Sequence, residues 1–568
     1  MFGFEPIDFA VIVVYLVGIT VIGSWAARRV KSAASYFIGD RKFGKVMMAF
    51  FMFGAATHYD QAVSVTSKVF RSGASGIWYQ WMWLFTTPFF WLIAPIFRRM
   101  RAVTTGDYFE MRFGPSVSLL YAVIGMLQMI VTIGLMLKSC GAMVTAATDG
   151  RVDANLAIFA TTAMFVIYGV AGGMSSAIVA DFVQGLMTFT FSFLLLPFAL
   201  GKLGGIAGMR QALPDPAMVQ IIAPREITVF YIFMISFNGL VGWVTQPHTM
   251  AVCAGGKTEM EGRMGVTAGL FVKRICTVAW MITGLCAAAM YASQPGMNPD
   301  EVFGRMAREL LPGVAPGLVG LFIACILASV MSACGAFMVA SSGLFTENIY
   351  KRFVVRGRSD KHYVVVGRIA AVMVVAFGVY FAYTLESVVK GLEIFWQVAA
   401  MMGIAFWVGL YWRRATVGAA WAGSLLSFAT LLFTSKIDLL GWDFNRHFAQ
   451  SLPGFMLLDG KLLLSWQMVM YLVVGFVVTI VVSLFTRPVD PARLDRMYAC
   501  LRTPVAPNEP ETKPFTLPVG MQPAPRKVLI DLPGFEIPRP TWIGIRGFVI
   551  SWVIVFMLIW VVYVILRL

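Results

Sequence analysis

Hydrophobic residues run along this chain in long blocks, separated by shorter polar segments rich in Arg and Lys. The blocks reach or exceed the roughly 20 apolar residues that carry an α-helix across a bilayer. Inside them the apolar positions are continuous rather than alternating, which argues against the strands of a transmembrane β-barrel. Taken with the basic breaks, the pattern predicts fourteen membrane helices, at about 7–27, 46–70, 75–97, 116–147, 154–171, 174–201, 226–252, 264–292, 316–347, 363–388, 391–411, 415–434, 462–485 and 543–566. The expected fold class is an all-α polytopic membrane protein.

Composition agrees with this and removes other classes. Of 568 residues, 59% are hydrophobic and 13% charged, and the mean hydropathy is +0.77, which excludes a water-soluble protein and leaves little chain for a separate soluble domain. The net charge of +16 is spread among the connections, so it implies no nucleic-acid partner. Basic residues concentrate in alternate connections: Arg28, Arg29, Lys31, Arg41, Lys42 and Lys45, then Arg98, Arg99, Arg101 and Arg112, then Lys351, Arg352, Arg356, Arg358, Lys361, Arg413 and Arg414. The positive-inside rule places these on the cytoplasmic side, so both termini are expected outside, in a multi-pass protein of a bacterial inner membrane. The first apolar block lacks a basic leader and reaches span length, which reads as a retained helix. Seven cysteines form no CxxC pair and suggest neither a disulfide framework nor a metal site.

Polar residues inside the blocks carry the functional signal. The second block contains Gly54-Ala55-Ala56-Thr57-His58-Tyr59-Asp60-Gln61, which is costly in lipid and should face the bundle interior. The sixth opens on a glycine cluster and carries Asp181 and Gln184. The seventh contains Asn238-Gly239 and then Gly242-Trp243-Val244-Thr245-Gln246-Pro247-His248, a helix broken by Pro. Ser329, Ser332, Ser341 and Ser342 recur along the ninth, a spacing that equally suits helix packing. Interrupted helices five blocks apart suggest two inverted repeats, about 46–201 and 226–411, within a transport core at 46–434. Around the core lie an extra N-terminal helix and loop (1–45), a peripheral helix region (435–486), a Pro-rich loop expected to be irregular (487–542) and a last helix (543–568). Such a plan favours an alternating-access carrier over a channel, and no metalloprotease motif or nucleophile elbow points to an enzyme.

Four motifs, in order, resemble those of the sodium:solute symporter family. They are Tyr168-Gly-Val-Ala-Gly-Gly-Met-Ser-Ser-Ala-Ile-Val-Ala-Asp181-Phe-Val-Gln184; Leu310-Leu-Pro-Gly with Ala328-Ser-Val-Met-Ser332-Ala-Cys and Ser341-Ser-Gly-Leu-Phe-Thr-Glu-Asn-Ile-Tyr350-Lys351; Gln246-Pro-His248; and Gly409-Leu-Tyr-Trp-Arg413-Arg414. The resemblance implies the leucine-transporter fold and symport of a small polar organic solute with a cation. It implies a cation site at the carbonyls of Ala55, His58 and Ser329, the side chains of Ser332 and Asp181, and the position of Ala333. Ala333 stands where the family usually has a hydroxyl, so sodium is favoured while a proton carried by Asp181, Asp60 or His58 is the alternative. The resemblance also implies a solute lining of Asp60, Gln61, Gln80, Trp83, Asn238, Gln246, His248, Trp396 and Gln397. Two further charges leave choices open: Lys68 could neutralise Asp60 or meet an anionic solute, and Glu393 could snorkel to the interface. No cofactor beyond Na+ or H+ is implied, a monomer would suffice, uncoupled transport is a further alternative, and a transporter-like sensor is the more distant one.

Overall fold

The computed structural model describes residues 6–27, 44–102, 104–172, 174–223, 226–254, 256–294, 296–437, 441–507, 509–510 and 512–568. Its principal helices are α1 (Pro6–Ala27), α2 (Lys45–Ala56), α3 (Tyr59–Ser72), α4 (Thr87–Arg99), α5 (Pro115–Ala147), α6 (Ala154–Gly172), α7 (Met174–Leu203), α8 (Val229–Trp243), α9 (Pro247–Ala254), α10 (Glu259–Tyr291), α11 (Leu318–Gly343), α12 (Asp360–Thr384), α13 (Val388–Tyr411), α14 (Val417–Phe433), α15 (Leu464–Phe485), α16 (Pro491–Arg502) and α17 (Trp542–Ile565). Among the described residues, eight helical segments are long and apolar enough to cross a membrane. The strands among the described residues form two small hairpins, Lys436–Ile437 with Trp442–Asp443 and Leu457–Leu458 with Lys461–Leu462.

Where the apolar blocks break, the cause is local in two cases. The second block separates into α2 and α3 because Thr57 (φ −125°, ψ 106°) and His58 (φ −124°, ψ 162°) are extended. The seventh separates into α8 and α9 across a turn at 244–246, with Pro247 opening α9. The third block, expected as one helix, is broken too: a 3-10 turn Gly73–Ile77 and a short helix Trp78–Trp81 precede α4. Gly73 sits at φ +71° against the Met218 backbone, a place that a side chain cannot take. The ninth continues past Gly343 as a π-helix, Leu344–Val354.

α10 and α11 lie in the interior, whereas α12, α15 and α17 keep broad apolar faces outward, as lipid-facing helices do. Close approach to α10 depends on glycine: a Cβ at Gly265 would come within 2.8 Å of Met48, and one at Gly269 within 2.6 Å of the Ala49 carbonyl. The expectation of an irregular stretch over 487–542 needs correcting. It contains α16, and it is strapped to the bundle by the buried Arg101–Glu509 pair, by Phe515 N–H donating to Met100 O (2.9 Å), and by Arg413 on Glu536 (2.8 Å). Proline density signals extended chain but not what that chain packs against.

Candidate functional site

The breaks in the second, third and seventh blocks converge on a cavity of about 80 Å3, room for several waters by volume. Its polar lining comes from Asp60 and Gln61 of α3, Gln80 of the short helix, Gln128 and Thr132 of α5, and Gln246 beside α9. Ala55, Ala56 and His58 line it at the first break, and Met52, Trp83, Trp243, Phe337, Leu392 and Phe395 supply apolar wall. Much of the polar capacity is unused: Asp60 Oδ1, Gln61 Oε1 and both ends of the Gln80 amide are buried with no hydrogen-bond partner among the described residues. Buried polar groups normally find partners, so this concentration at one cavity marks a place built for a ligand.

Two cations also face this space. Gly265, Gly269 and Lys273 follow one another at four-residue spacing on α10, so the contact the glycines permit with α2 carries Lys273 to the end of that helix. There the Lys273 ammonium donates to the Ala56 carbonyl, which Gln61 Nε2 also contacts at 3.0 Å. Arg274 is fully buried; its Nη1 donates to Gln80 O at 2.6 Å, while Nε and Nη2 have no partner among the described residues. Both cations sit against the Trp83 ring, at 5.6 and 5.7 Å from its centroid.

The sodium:solute symporter family model matches residues 36–427. This chain belongs to the sodium:solute symporter family. The osmoregulated proline transporter OpuE of Bacillus subtilis is 26% identical to this family member over 467 residues, covering 78% of this chain and 91% of the relative. The sodium/proline symporter of Haemophilus influenzae is 25% identical, covering 80% and 93%. The solved substrate-bound, outward-open Na+-coupled sialic acid symporter superposes with a TM-score of 0.69 at 19% identity, over 86% of this chain and 100% of that one. The fold is that of the leucine-transporter-like carriers, and this family member is a membrane transport protein rather than an enzyme.

Of the lining expected from sequence, Asp60, Gln61, Gln80, Trp83 and Gln246 meet at the cavity. Asn238, Trp396 and Gln397 do not. Asn238 donates to Trp396 O (3.1 Å) and accepts from Tyr471 (2.7 Å), and Gln397 Nε2 donates to Gln467 (2.8 Å), so both amides join helices. Trp396 packs behind the wall, tilted against Tyr79 and edge-on to Trp83. In the expected cation set, Ala55 and His58 border the cavity, while Ser329, Ser332 and Ala333 are buried on α11. The side chains of Asp181, Gln184 and His248 lie outside the described residues. Lys68 does not neutralise Asp60; it pairs with Glu226 and covers the Tyr79 ring, since eight residues of helix separate the two by more than two turns. Glu393 does not reach out alone: it accepts from Tyr79 (2.8 Å) and pairs with Lys390 (3.2 Å).

Lys273, Arg274, Gln128 and Thr132 are absent from the expected site. The signal was present, because adjacent Lys and Arg in the middle of an apolar block are expensive in lipid. Long uninterrupted hydrophobicity on either side makes that block read as a plain span.

Proposed function

We propose that this protein is a symporter that imports a small polar organic solute together with a cation, sodium by preference, by alternating access. The observation that carries the reading is the cavity at the broken helices, where Asp60 Oδ1, Gln61 Oε1 and the Gln80 amide gather deep in the bundle with no hydrogen-bond partner among the described residues. The solute sits there, between two inverted repeats, and opens alternately to either side of a bacterial inner membrane with both termini outside. The cation sits beside it at the Ala55 and His58 carbonyls, Ser329, Ser332 and Asp181. Sodium prefers oxygen donors, and this set supplies carbonyl, hydroxyl and carboxylate oxygens, less the one that Ala333 lacks. Cation binding favours the outward-open state, and inward opening releases both cargoes.

Proton coupling is the second reading, favoured by Ala333 and by the unpartnered Asp60 carboxylate oxygen. Uptake into liposomes separates them. Accumulation driven by a sodium gradient and weakened by Asp181→Asn supports sodium coupling. Accumulation driven by a pH gradient alone, lost in Asp60→Asn, supports the second.

A further inference from the structure

Within that reading, the chemistry of the cavity narrows the solute. Its described lining holds two cations, Lys273 and Arg274, against one carboxylate, Asp60, an excess of one positive charge. An uncompensated buried charge is strongly destabilising, so a compensating anion is expected when the site is filled. Lys273 is engaged by the Ala56 carbonyl and lines the cavity together with Asp60. Arg274 has no carboxylate partner among the described residues.

The free edge of Arg274 identifies that anion. A guanidinium binds a carboxylate in a fork, through two parallel N–H···O bonds. Two arginines here use the Nε–Nη2 edge: Arg99 holds Glu259 through Nε (2.7 Å) and Nη2 (3.0 Å), and Arg101 holds Glu509 through Nε (2.6 Å) and Nη2 (3.0 Å), while the more exposed Arg352 holds Glu110 through Nη1 and Nη2. In Arg274 Nε and Nη2 are buried with no partner among the described residues, while Nη1 is tied to Gln80 O and holds the guanidinium in place. The adjacent Gln80 amide offers a further donor and acceptor, both unused.

We propose that the solute carries a carboxylate, clamped through both oxygens by Nε and Nη2 of Arg274, with Gln80 beside it. The Asp60 oxygen across the cavity accepts from the remainder of the solute, and Trp83, Trp243, Phe337 and Phe395 cover its apolar part. The inference rests on the central cavity being the solute site. Two kinds of molecule present this group, a hydroxy or simple monocarboxylate and a zwitterionic amino acid.

The test uses the purified full-length protein and the same protein in liposomes, with both cation gradients available. The probes are acetate, propionate and lactate; glycine, alanine and proline; the neutral amides acetamide, propionamide and lactamide; and glucose and inositol. The expected result is saturable binding and uptake confined to carboxylates, with each amide failing where its acid succeeds. Arg274→Gln should weaken carboxylate binding by roughly 100-fold or more, and Arg274→Lys should restore little because a point charge lacks the fork. The Gln variant should also be at least as heat-stable as the unliganded parent, since it removes an uncompensated charge. Asp60→Asn sorts the two sources, weakening an amino acid far more than a simple monocarboxylate. Transport of an amide or sugar with undiminished uptake in Arg274→Gln would overturn the carboxylate and leave the carrier reading standing. Failure of every probe under both gradients would overturn both.

Discussion

Arg101 and Arg274 are both about as buried as an arginine can be, at 1% and 0% exposure, yet they are in opposite states. Arg101 has every nitrogen engaged: Nε and Nη2 on Glu509, and Nη1 on Arg99 O at 3.0 Å. Arg274 has one. The first closes the strap formed by 487–541 onto the bundle, and its worth is internal to the fold. The second carries a desolvation cost that the described protein does not offset. A buried charge with all its hydrogen bonds made is architecture, while one with an aligned pair of bonds unmade faces something that comes and goes.

Breaking the satisfied side should cost the most in stability. Arg101→Met leaves Glu509 buried without its partner and should destabilise by about 3–5 kcal/mol. Thermal unfolding in detergent checks this, with uptake per folded molecule preserved; an unchanged melting temperature would mean that the strap is not held there. On the unsatisfied side, Asp60→Asn removes the one carboxylate in the described lining that faces Lys273 and Arg274, and should lower the melting temperature too, though by less than Arg101→Met. It should weaken an amino-acid solute about 10- to 100-fold, the worth of a hydrogen bond to a charged group, measured by isotope uptake.

A smaller effect sharpens the cation reading. Ala333→Ser should lower the sodium concentration for half-maximal stabilisation about fivefold, as one added oxygen ligand would; no change in a sodium titration would detach Ala333 from the ion. The smallest effect belongs to a half-buried satisfied pair, Arg352 with Glu110 at 2.7 and 2.9 Å. The hydrogen bond from Arg352 holds the Glu110 carboxyl below its usual range. A lowered carboxyl stabilises the fold above its unfolded value, and that contribution fades as pH falls through the folded one. Glu110→Gln should therefore cost about 0.2–1 kcal/mol at neutral pH and nothing in acid, as a melting-temperature series in pH would show.

The sequence was most informative where a residue's effect is local. The helix break at Thr57-His58 and the one before Pro247 were legible because polar runs, Gly and Pro act on their own backbone. The turn at 82–86 inside the third block was not, because no Gly or Pro lies within it to act on its own backbone. The same divide runs through the site. Gln80 and Gln397 are equivalent in composition, but one amide meets the cavity and the other meets Gln467. Lys273 and Arg274 escaped notice inside a long apolar block, although adjacent cations at that depth were themselves a signal.

The sequence alone determined the class of protein, the course of most spans, two of their interruptions and the family. Each rests on hydrophobicity, backbone chemistry or motif order, which belong to short segments of chain. Tertiary structure decided which polar groups share one space, through the glycine contacts that seat α10 on α2. It also decided which groups are left unsatisfied, because hydrogen-bond satisfaction depends on the partners that packing brings within about 3 Å.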